Sequence, residues 1–333
     1  MICSICGERA IISQRYSGQH LCQDHFIQDF ERRVAETVHK NNMVKDGERI
    51  AVAVSGGKDS TALLFCLHRI LAKRDVELVA VTVDEGIAGY RDDTIKAARA
   101  IAEKLAVEQH IVSFQEEYGY NLDEMVQGKK VAPCTFCGVF RKSALNRAAK
   151  RLGADKVATG HNLDDEASVL LGNLLHWETG YLARQAPLLP STHPKLARRA
   201  KPLFRIAERE SAAYAILRGI DYVIDECPLA EGSRTILYKE ALNVIEATSP
   251  GAKQSLLLGF YERGRPAFRD ADAVVLRECE RCGQPTPLDV CAFCRLWDEV
   301  RSKARLDERP ARGRRQLATV AAASPPEREE TAP

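Results

Sequence analysis

The chain has no apolar run of roughly 18 residues, the minimum for a membrane-spanning helix, so we expect no membrane contact. Its first residues, MICSICGERA, lack the apolar stretch of a signal peptide, so we expect a cytoplasmic protein. In that compartment cysteine pairs are more often metal or redox sites than disulfides. The net charge of +2 is close to neutral, so the total charge gives no argument for nucleic-acid binding.

The 333 residues suffice for a buried core and for more than one folded unit. Apolar strand patterns alternate with helical patterns, which is typical of an α/β fold with a doubly wound parallel sheet and helices on both faces. Ligands of such sheets bind beyond the carboxyl ends of the strands. The predicted strands are 49–54, 77–83, 107–114 and 155–159, and the predicted helices are 26–41, 59–71, 91–105, 136–152, 164–175, 208–219 and 234–248.

Composition divides the chain into four parts. Residues 1–28 form a small module rich in cysteine and histidine, and residues 29–265 form the main α/β domain. Within that domain, 178–207 is richer in proline and basic residues. Residues 266–304 contain a second group of four cysteines, and residues 305–333, rich in Arg, Ala, Pro and Glu, are predicted to be disordered.

A phosphate-binding loop is predicted at 55–60 (SGGKDS), where an apolar strand turns into a helix. Two glycines allow close backbone approach to a phosphate, and free amide groups at the helix N-terminus favour an anion. Lys58 and the hydroxyl groups of Ser55 and Ser60 add further donors. The pattern GxxxxGK[ST] is absent, so a Walker loop that transfers a γ-phosphate is not expected. The alternative is a tight turn that binds nothing.

Two groups of four ligands have the spacing of zinc sites. One is CxxC followed after 15 residues by CxxH, and the other is CxxC followed after eight residues by CxxC. Each CxxC places two thiolates on one turn, and two such turns complete a tetrahedral site that stabilises a short segment. The alternative is a set of buried free thiols. The predicted ligands are Cys3, Cys6, Cys22 and His25 in the first group, and Cys279, Cys282, Cys291 and Cys294 in the second.

Three further cysteines make an incomplete set. Cys134 and Cys137 form a CxxC pair, and Cys227 lies 90 residues downstream. Three thiolates leave a coordination position open, and open positions are where metal chemistry occurs. Three cysteines also suit an iron–sulfur cluster, which four thiolates normally hold. A redox dithiol or an inert pair are the alternatives. The remaining cysteine, Cys66, has helical spacing after Ser60 and is predicted to be a buried core thiol.

These motifs, taken together, resemble those of one family. The string AVSGGKDS resembles the PP-loop of the N-type ATP pyrophosphatases, and 160–166 (GHNLDDE) resembles the second nucleotide motif of that superfamily. The order CxxC…CxxH, PP-loop, CxxCG, GHNLDDEA, Cys-Pro and CxxC…CxxC is similar to that of the TtuA-type tRNA 2-thiouridine synthetases. The resemblance spans roughly residues 1–300, and its core alone also resembles the 2-thiocytidine synthetase TtcA.

The resemblance implies an ATP-dependent tRNA-uridine 2-sulfurtransferase. ATP with magnesium would adenylate the C2 oxygen of the uridine and release pyrophosphate, sulfide would attack C2, and AMP would leave. The compact spacing favours the T-loop uridine at position 54, with the wobble uridine at position 34 as the alternative. tRNA is the implied partner, the sulfur would come from a thiocarboxylated ubiquitin-like carrier protein or from free sulfide, and a homodimer is compatible with this interpretation.

The resemblance also implies roles for individual residues. Cys134, Cys137 and Cys227 would bind a [4Fe-4S] cluster whose fourth iron carries the incoming sulfur. Arg141, four positions after Cys137, or the adjacent Lys142 would be the catalytic basic residue. Because an arginine does not give up its proton, Arg141 would clamp a phosphate and would not act as an acid.

Asp165 would act as a base or orient a magnesium ion. Helix capping is the alternative for Asp165 and for Asp164. His161 receives no role. The residues implied around the nucleotide are Ala53, Ser55, Gly56, Gly57, Lys58, Asp59, Ser60, Asp84, Gly160 and Asp165.

Two other classes of function compete with this hypothesis. An amide-forming ligase of the lysidine-synthetase kind would leave the three-cysteine set without a task, and nothing resembles an amidotransferase nucleophile. A zinc-ribbon RNA-binding or redox-sensing protein without catalysis would not need Lys58, Asp59 and Asp165.

Overall fold

The computed structural model describes residues 1–129, 131–189, 193–225, 227–230, 234–272 and 276–307. No described helix is both long and apolar enough to cross a membrane. Of the tail predicted at 305–333, residues 305–307 end a helix instead, and the remainder lies outside the described residues. The strands are β1 (Ile12–Gln14), β2 (Gln19–Leu21), β3 (Glu48–Ala53), β4 (Val76–Asp84), β5 (Glu108–Ser113), β6 (Lys156–Ala158), β7 (Leu188–Leu189), β8 (Arg198–Ala200), β9 (Arg277–Glu278) and β10 (Pro285–Thr286).

The helices alternate with the central strands, as the sequence predicts. They are α1 (Gln23–Lys40), α2 (Lys58–Ile70), α3 (Arg91–Lys104), α4 (Phe114–Tyr118), α5 (Leu122–Val126), α6 (Pro133–Arg151), α7 (Leu163–Leu175), α8 (Thr179–Arg184), α9 (Glu208–Leu217), α10 (Arg234–Thr248), α11 (Ala252–Gly259) and α12 (Ala292–Asp307). Short 3₁₀ turns occupy Pro228–Ala230 and Arg265–Asp272, and a π-helical turn occupies Phe260–Gly264.

A six-stranded sheet in the order β5-β4-β3-β6-β8-β7 forms the centre of the main domain. The first five strands in this order are parallel, which confirms the predicted α/β class. The edge strand β7 is antiparallel to β8, so the sheet is mostly and not entirely parallel. Strands β7 and β8 lie inside 178–207, where the sequence analysis predicts no strand.

Both faces of the sheet are buried, because side chains alternate along each strand. Ile50 and Val52 of β3 face a core built with α1, α2 and α9, whereas Ala51 faces a second core built with α4, α5 and α6. Val79 and Val81 of β4 belong to that second core. Burial on both faces explains why these strands have near-continuous apolar sequences.

Each cysteine-rich module packs on the main domain through a helix. Helix α1 runs from the N-terminal module into the main domain, and Gln14 of that module donates to Asp29 on α1 and to Glu210 on α9. At the other end, Trp297 of α12 contacts the rings of Phe140 and Tyr118 in the second core. The modules are therefore joined to the elements that surround the carboxyl edge of the sheet.

Candidate active site and metal centres

The SGGKDS loop (55–60) lies at the carboxyl end of the central strand β3, directly before α2. Gly56 has a φ of +89°, and a Cβ there would lie 1.9 Å from the carbonyl oxygen of Thr94 on α3. The hydroxyl of Ser60 accepts from the amide of Ser55 at 3.0 Å and donates to the carbonyl of Gly57 at 2.9 Å. Glycine is therefore required at position 56. The hydroxyl of Ser60 bridges the backbone of Ser55 and Gly57 and so stabilises the turn of the loop.

The N-terminus of α2 faces this loop. Gly57 is the N-cap of α2 and has no side chain that could cap the first amide groups of the helix. Those groups stay available to an anion, which the helix dipole also attracts. The loop thus has the backbone geometry of a phosphate site.

Lys58 and Asp59 belong to a charged network beside the loop. The Nζ atom of Lys58 lies 3.1 Å from Oδ2 of Asp59 and 2.6 Å from Oε1 of Glu208 on α9. Burial raises the pKa of Asp59, and Asp165 raises it further, although Lys58 and a hydrogen bond from Asn162 act in the opposite direction. Burial alone would raise the pKa of Glu208, but Lys58 and Lys239 lower it.

Asp165 lies on the other side of the same network. Its Oδ1 atom is 2.6 Å from Nζ of Lys239 on α10, and Lys239 is also 3.2 Å from Glu208. The pKa of Lys239 is raised by Asp165 and Glu208 although burial opposes this. Two ammonium groups therefore alternate with the three carboxylates of Asp59, Asp165 and Glu208.

The capping alternative at the start of α7 holds in part for Asp165 and is wrong for Asp164. Asn162 is the N-cap, and Asp165 completes a capping box by accepting from the amide of Asn162 at 3.1 Å. Asp164 caps nothing on its own helix: it accepts from the amide of Glu208 at 2.8 Å and pairs with Lys253. Asp164 thus ties α7 to α9 and α11.

Three other residues implied by the resemblance lie around the loop. Ala53 is the last residue of β3, and Asp84 is the last residue of β4 and accepts from the amide of Gly86 at 2.9 Å. A Cβ on Gly160 would lie 3.0 Å from the backbone of Asp59 and Ser60. Gly160 therefore allows the second motif to pack against the SGGKDS loop itself.

The two predicted zinc sets are assembled in the structure. In each set, all four ligand atoms lie within 4.8 Å of one another. The sulfur–sulfur distances are 3.8 Å for Cys6 and Cys22, 3.5 Å for Cys282 and Cys291, and 3.9 Å for Cys279 and Cys294. A tetrahedral zinc with Zn–S bonds of about 2.3 Å spaces its sulfurs by about 3.8 Å, so the ligands fit that ion.

Backbone amides favour the thiolate form of one cysteine in each set. Burial opposes ionisation of Cys3, but the amides of Cys22, Cys6 and Ile5 lower its pKa to about 6. Amides near Cys279 lower its pKa to about 6 as well, again against the effect of burial. Thiolates are the form that binds metal, so the donor chemistry agrees with the geometry.

The three-cysteine set forms where two distant segments meet. Cys134 and Cys137 lie in the first two turns of α6, and Cys227 directly precedes the 3₁₀ turn Pro228–Ala230. The thiol of Cys134 donates to the carbonyl of Leu229 at 3.6 Å. Burial raises the pKa of Cys137 to about 11, and the other two cysteines add to this effect. The fold thus brings together thiols that are 90 residues apart in the chain.

These three sulfurs are spaced differently from the zinc sets. Within the described chain, no group of three or more metal-ligand atoms that all lie within 4.8 Å of one another includes Cys134, Cys137 or Cys227. A multinuclear cluster spaces its thiolates more widely than a single ion does. Three cysteine thiols, those of Cys137 and Cys227 partly buried and that of Cys134 exposed, are donors of the type that such a cluster takes.

The structure distinguishes the surroundings of Arg141 and Lys142. Nη1 of Arg141 lies 3.7 Å from the carboxylate of Glu85. Burial alone would lower the pKa of Arg141, but Cys137 and Glu85 raise it. Lys142 instead has a pKa lowered by desolvation and then by the neighbouring cations Arg199 and Arg141. Arg141 is the one of the pair that faces the cysteines.

Sequence reasoning missed four charged residues of this site. Glu208 and Lys239 complete the network beside the loop, and Glu85 and Arg91 lie between the loop and α6. Each takes part in a contact between segments that are distant in the chain, and such contacts cannot be read from a motif. Glu85 alone is adjacent to a predicted site residue, Asp84. That position, one residue past a buried strand, is the signal that was available.

Family comparisons agree with the order of these motifs. The profile described as "PP-loop domain" matches residues 26–234, and the profile described as "2-thiouridine synthetase TtuA, N-terminal LIM domain" matches residues 2–27. The first match covers more than half of the chain.

Individual proteins are similar over nearly the full chain. The tRNA-5-methyluridine(54) 2-sulfurtransferase of Thermus thermophilus is 42% identical, covering 92% of this chain and 94% of that protein. The protein of the same name from Pyrococcus horikoshii is 37% identical, covering 89% and 94%. A solved structure, the U34-tRNA thiolase NcsA from Methanococcus maripaludis with its [4Fe-4S] cluster, is 32% identical with a TM-score of 0.76, covering 89% of this chain and 95% of that one.

Proposed function

Because the chain belongs to the TtuA/NcsA-type tRNA 2-thiolation proteins of the PP-loop ATP pyrophosphatase superfamily, we propose that it is an ATP-dependent tRNA-uridine 2-sulfurtransferase. Its favoured substrate is the uridine at position 54 of the T-loop, since the relatives from Thermus and Pyrococcus carry that position in their names. The wobble uridine remains the second candidate because the similar solved structure is named as a U34 thiolase.

One observation supports this function most strongly. The SGGKDS loop and the three-cysteine set lie at the same edge of the sheet, with Arg141 between Glu85 and the cysteines. Activation of an oxygen by ATP and delivery of sulfur must act on the same carbon atom. An amide-forming ligase would need the loop but not the three cysteines.

The nucleotide phosphates would bind at the N-terminus of α2. The backbone of Gly56 and Gly57 gives close access, and the hydroxyls of Ser55 and Ser60 border the loop. The charged network beside it has three carboxylates and two ammonium groups, a net charge of −1. Such a site favours a polyphosphate that arrives with Mg²⁺, which carboxylates bind well. Asp59 and Asp165 are the proposed magnesium ligands.

The chemistry requires activation of a poor electrophile. The C2 oxygen of a uridine is a poor leaving group until AMP is transferred to it, with release of pyrophosphate. Arg141 stays protonated at any relevant pH, so it would stabilise the charge that develops on the transferred phosphate. Lys142 has a lowered pKa and lies among cations, and it would bind a phosphate of the tRNA backbone.

Cys134, Cys137 and Cys227 would hold the cluster that the similar thiolase contains. When bound, a [4Fe-4S] cluster held by three thiolates supplies one iron with an open position for an exogenous sulfur. The protein's own contribution is to keep the thiols of Cys137 and Cys227 partly buried, with the exposed Cys134 nearby, in electrostatic contact with Arg141. The four-ligand sets would hold zinc and stabilise the two outer modules.

Further parts of the hypothesis rest on the family alone. The sulfur donor would be a thiocarboxylated ubiquitin-like carrier protein or free sulfide. The enzyme would act in the cytoplasm, and a homodimer is compatible with this function. The proposed units are a zinc finger at 1–28, a catalytic domain at 29–265, a zinc ribbon at 266–304 and a tail at 305–333.

Anaerobic reconstitution followed by an activity assay tests this function. The purified protein is analysed for iron, acid-labile sulfide and zinc, then incubated with ATP, Mg²⁺, sulfide and unmodified tRNA. Nucleoside mass spectrometry of individual tRNAs should detect 2-thiouridine, and pyrophosphate should form in equal amount. Thiolation that occurs without ATP, or tRNA that stays unmodified while iron is bound, would contradict the proposal.

A further inference from the structure

The carboxylate of Glu85 lies between two arginines. Its Oε2 atom is 2.9 Å from Nε of Arg91, and its Oε1 atom is 3.7 Å from Nη1 of Arg141. Glu85 directly follows β4, Arg91 opens α3, and Arg141 lies on α6. The carboxylate thus joins three elements at the carboxyl edge of the sheet.

Arg91 fixes Glu85 relative to the SGGKDS loop. The guanidinium of Arg91 donates to the carbonyl of Ser55 at 3.3 Å and to the carbonyl of Val83. The side chains of Arg91 and Glu85 are only 6% and 4% exposed. With so little freedom, the Glu85 carboxylate is fixed relative to the backbone of the loop at Ser55 and of β4 at Val83.

The side chain of Arg141 is much more exposed than that of Arg91. Its side chain is 54% exposed, and Glu85 is its only carboxylate partner among the described residues. The guanidinium also interacts electrostatically with Cys137, Cys227 and Cys134. Glu85 is therefore the carboxylate that can fix the exposed guanidinium of Arg141 beside the cysteines, while Arg91 links Glu85 to the loop.

Charge neutralisation alone does not explain this arrangement. A buried carboxylate needs a partner because desolvation of a charge is costly. Arg91 already supplies that partner at 2.9 Å. The second guanidinium leaves the trio with a net charge of +1, and that charge is presented at the cysteines and the nucleotide loop.

We propose that Glu85 is a positioning residue that holds the guanidinium of Arg141 between the nucleotide loop and the three cysteines. The inference rests on the proposed function and deepens it. Glu85 touches neither nucleotide nor sulfur and acts through Arg141. Its loss leaves ATP binding intact and slows turnover, because Arg141 no longer meets the phosphate on which charge develops.

Four proteins test this role: the wild type, Glu85→Gln, Arg141→Gln and the double variant. Turnover of thiolation and the KM for ATP are measured on preparations of equal iron content. We expect Glu85→Gln to lower kcat about tenfold with an unchanged KM. The double variant should be no slower than Arg141→Gln alone, since residues that act through each other are not additive.

The reduction potential gives a readout that does not depend on turnover. Removal of a negative charge near the cluster stabilises its reduced form, so Glu85→Gln should raise the midpoint potential, and Arg141→Gln should lower it. Glu31→Gln is the matched control. The Glu31 carboxylate also lies between two arginines, Arg69 at 2.9 Å and Arg218, but on α1 and far from the loop.

The outcomes separate the inference from the proposed function. If Glu85→Gln matches Glu31→Gln in kcat and potential, or if the losses of Glu85→Gln and Arg141→Gln multiply, the positioning role is wrong. If Glu85→Gln does not fold, Glu85→Asp replaces it, since the shorter carboxylate still pairs with Arg91 but retracts from Arg141. Wild-type turnover of Glu85→Asp would then overturn the role. A wild-type protein that holds no iron and thiolates no tRNA contradicts the proposed function itself.

Discussion

At the scale of single residues, the two glycines of the SGGKDS loop differ in whether the backbone conformation requires a glycine. Gly56 has a positive φ and stands against the carbonyl of Thr94, whereas Gly57 has a φ of −84° and nothing nearer to its missing Cβ than Ser55 Oγ at 3.7 Å. Only the first position requires glycine for the fold. The sequence shows only two consecutive glycines and does not reveal which of them the backbone conformation requires.

Gly56→Ala is therefore expected to lower the free energy of unfolding by on the order of 3 kcal/mol, through backbone strain and the clash with Thr94. Gly57→Ala is the control and should change it by less than about 1 kcal/mol. Thermal unfolding followed by circular dichroism compares the two. Equal midpoints for both variants would show that the loop relaxes at no cost.

Asp165 combines a capping bond with a charge, and a substitution can separate them. Asp165→Asn keeps an oxygen that can accept from the amide of Asn162, so stability should change by less than about 1 kcal/mol. The lost carboxylate should reduce ATP-dependent pyrophosphate release at least about tenfold if it binds Mg²⁺. Asp165→Ala, which loses both, should also be less stable. Full pyrophosphate release from Asp165→Asn would exclude a role in magnesium binding.

The lowered pKa of Glu208 predicts that the folded protein loses stability in acid. Lys58 and Lys239 lower its pKa although burial opposes this. A carboxylate with a lowered pKa in the folded state contributes stability above its unfolded pKa of about 4.5, and this contribution disappears as the pH falls through the folded value. Urea titrations from pH 7 to pH 3 should therefore show a steeper acid loss in the wild type than in Glu208→Gln. Parallel curves would contradict this assignment.

At the scale of secondary-structure elements, the start of α6 and the turn at Pro228–Ala230 create the three-cysteine set. Sequence periodicity predicts this helix from residue 136, but the helix begins at Pro133, so both cysteines of the CxxC pair lie in its first turns. Proline at the first helical position explains the earlier start. The CxxC motif itself was visible, and its helical setting was not.

Cys227→Ser should abolish thiolation because it removes one of three proposed cluster ligands. Zinc should stay at about two ions per chain, since the two four-ligand sets are separate from Cys227. Metal analysis and nucleoside mass spectrometry measure both effects, and Cys66→Ser is the control because Cys66 is buried in the other core. Undiminished thiolation by Cys227→Ser would remove the cluster from the mechanism.

Short elements show the limit of prediction at this scale. Strands β3 and β4, of six and nine residues, have apolar sequences that identify them. Strand β8 has only three residues, Arg198, Arg199 and Ala200, and it forms because β6 offers a free parallel edge. A basic tripeptide has no strand signal of its own, so its pairing is decided by tertiary context.

At the scale of the whole molecule, motif order identified the family, whereas the contacts between distant segments had to come from the structure. Lys239 reaches Asp165 from α10, and Arg91 reaches the loop from α3. Both are ordinary charged residues in helical sequences, without spacing that sets them apart. A motif is readable because its residues are adjacent in the chain, and these pairs are adjacent only in space.

Deletion of residues 310–333, which lie outside the described residues, should leave thiolation unchanged, since the proposed site lies wholly within the preceding chain. Steady-state thiolation at several salt concentrations compares the deletion with the full chain. If the arginines of this segment bind tRNA, the deletion will instead weaken the reaction and reduce its salt dependence.

Helix α9 links the predicted N-terminal zinc module to the nucleotide loop, so thiolation is expected to depend on zinc as well as on iron. Glu208 at its start pairs with Lys58 of the nucleotide loop, and Glu210, two residues later, accepts from Gln14 and Tyr16 of the N-terminal module. A module that unfolds without zinc would lose these two hydrogen bonds to α9, the helix that supplies Glu208 to the loop. Growth under zinc starvation should therefore lower tRNA thiolation even where iron and sulfur are plentiful, which would make this modification a gauge of zinc nutrition.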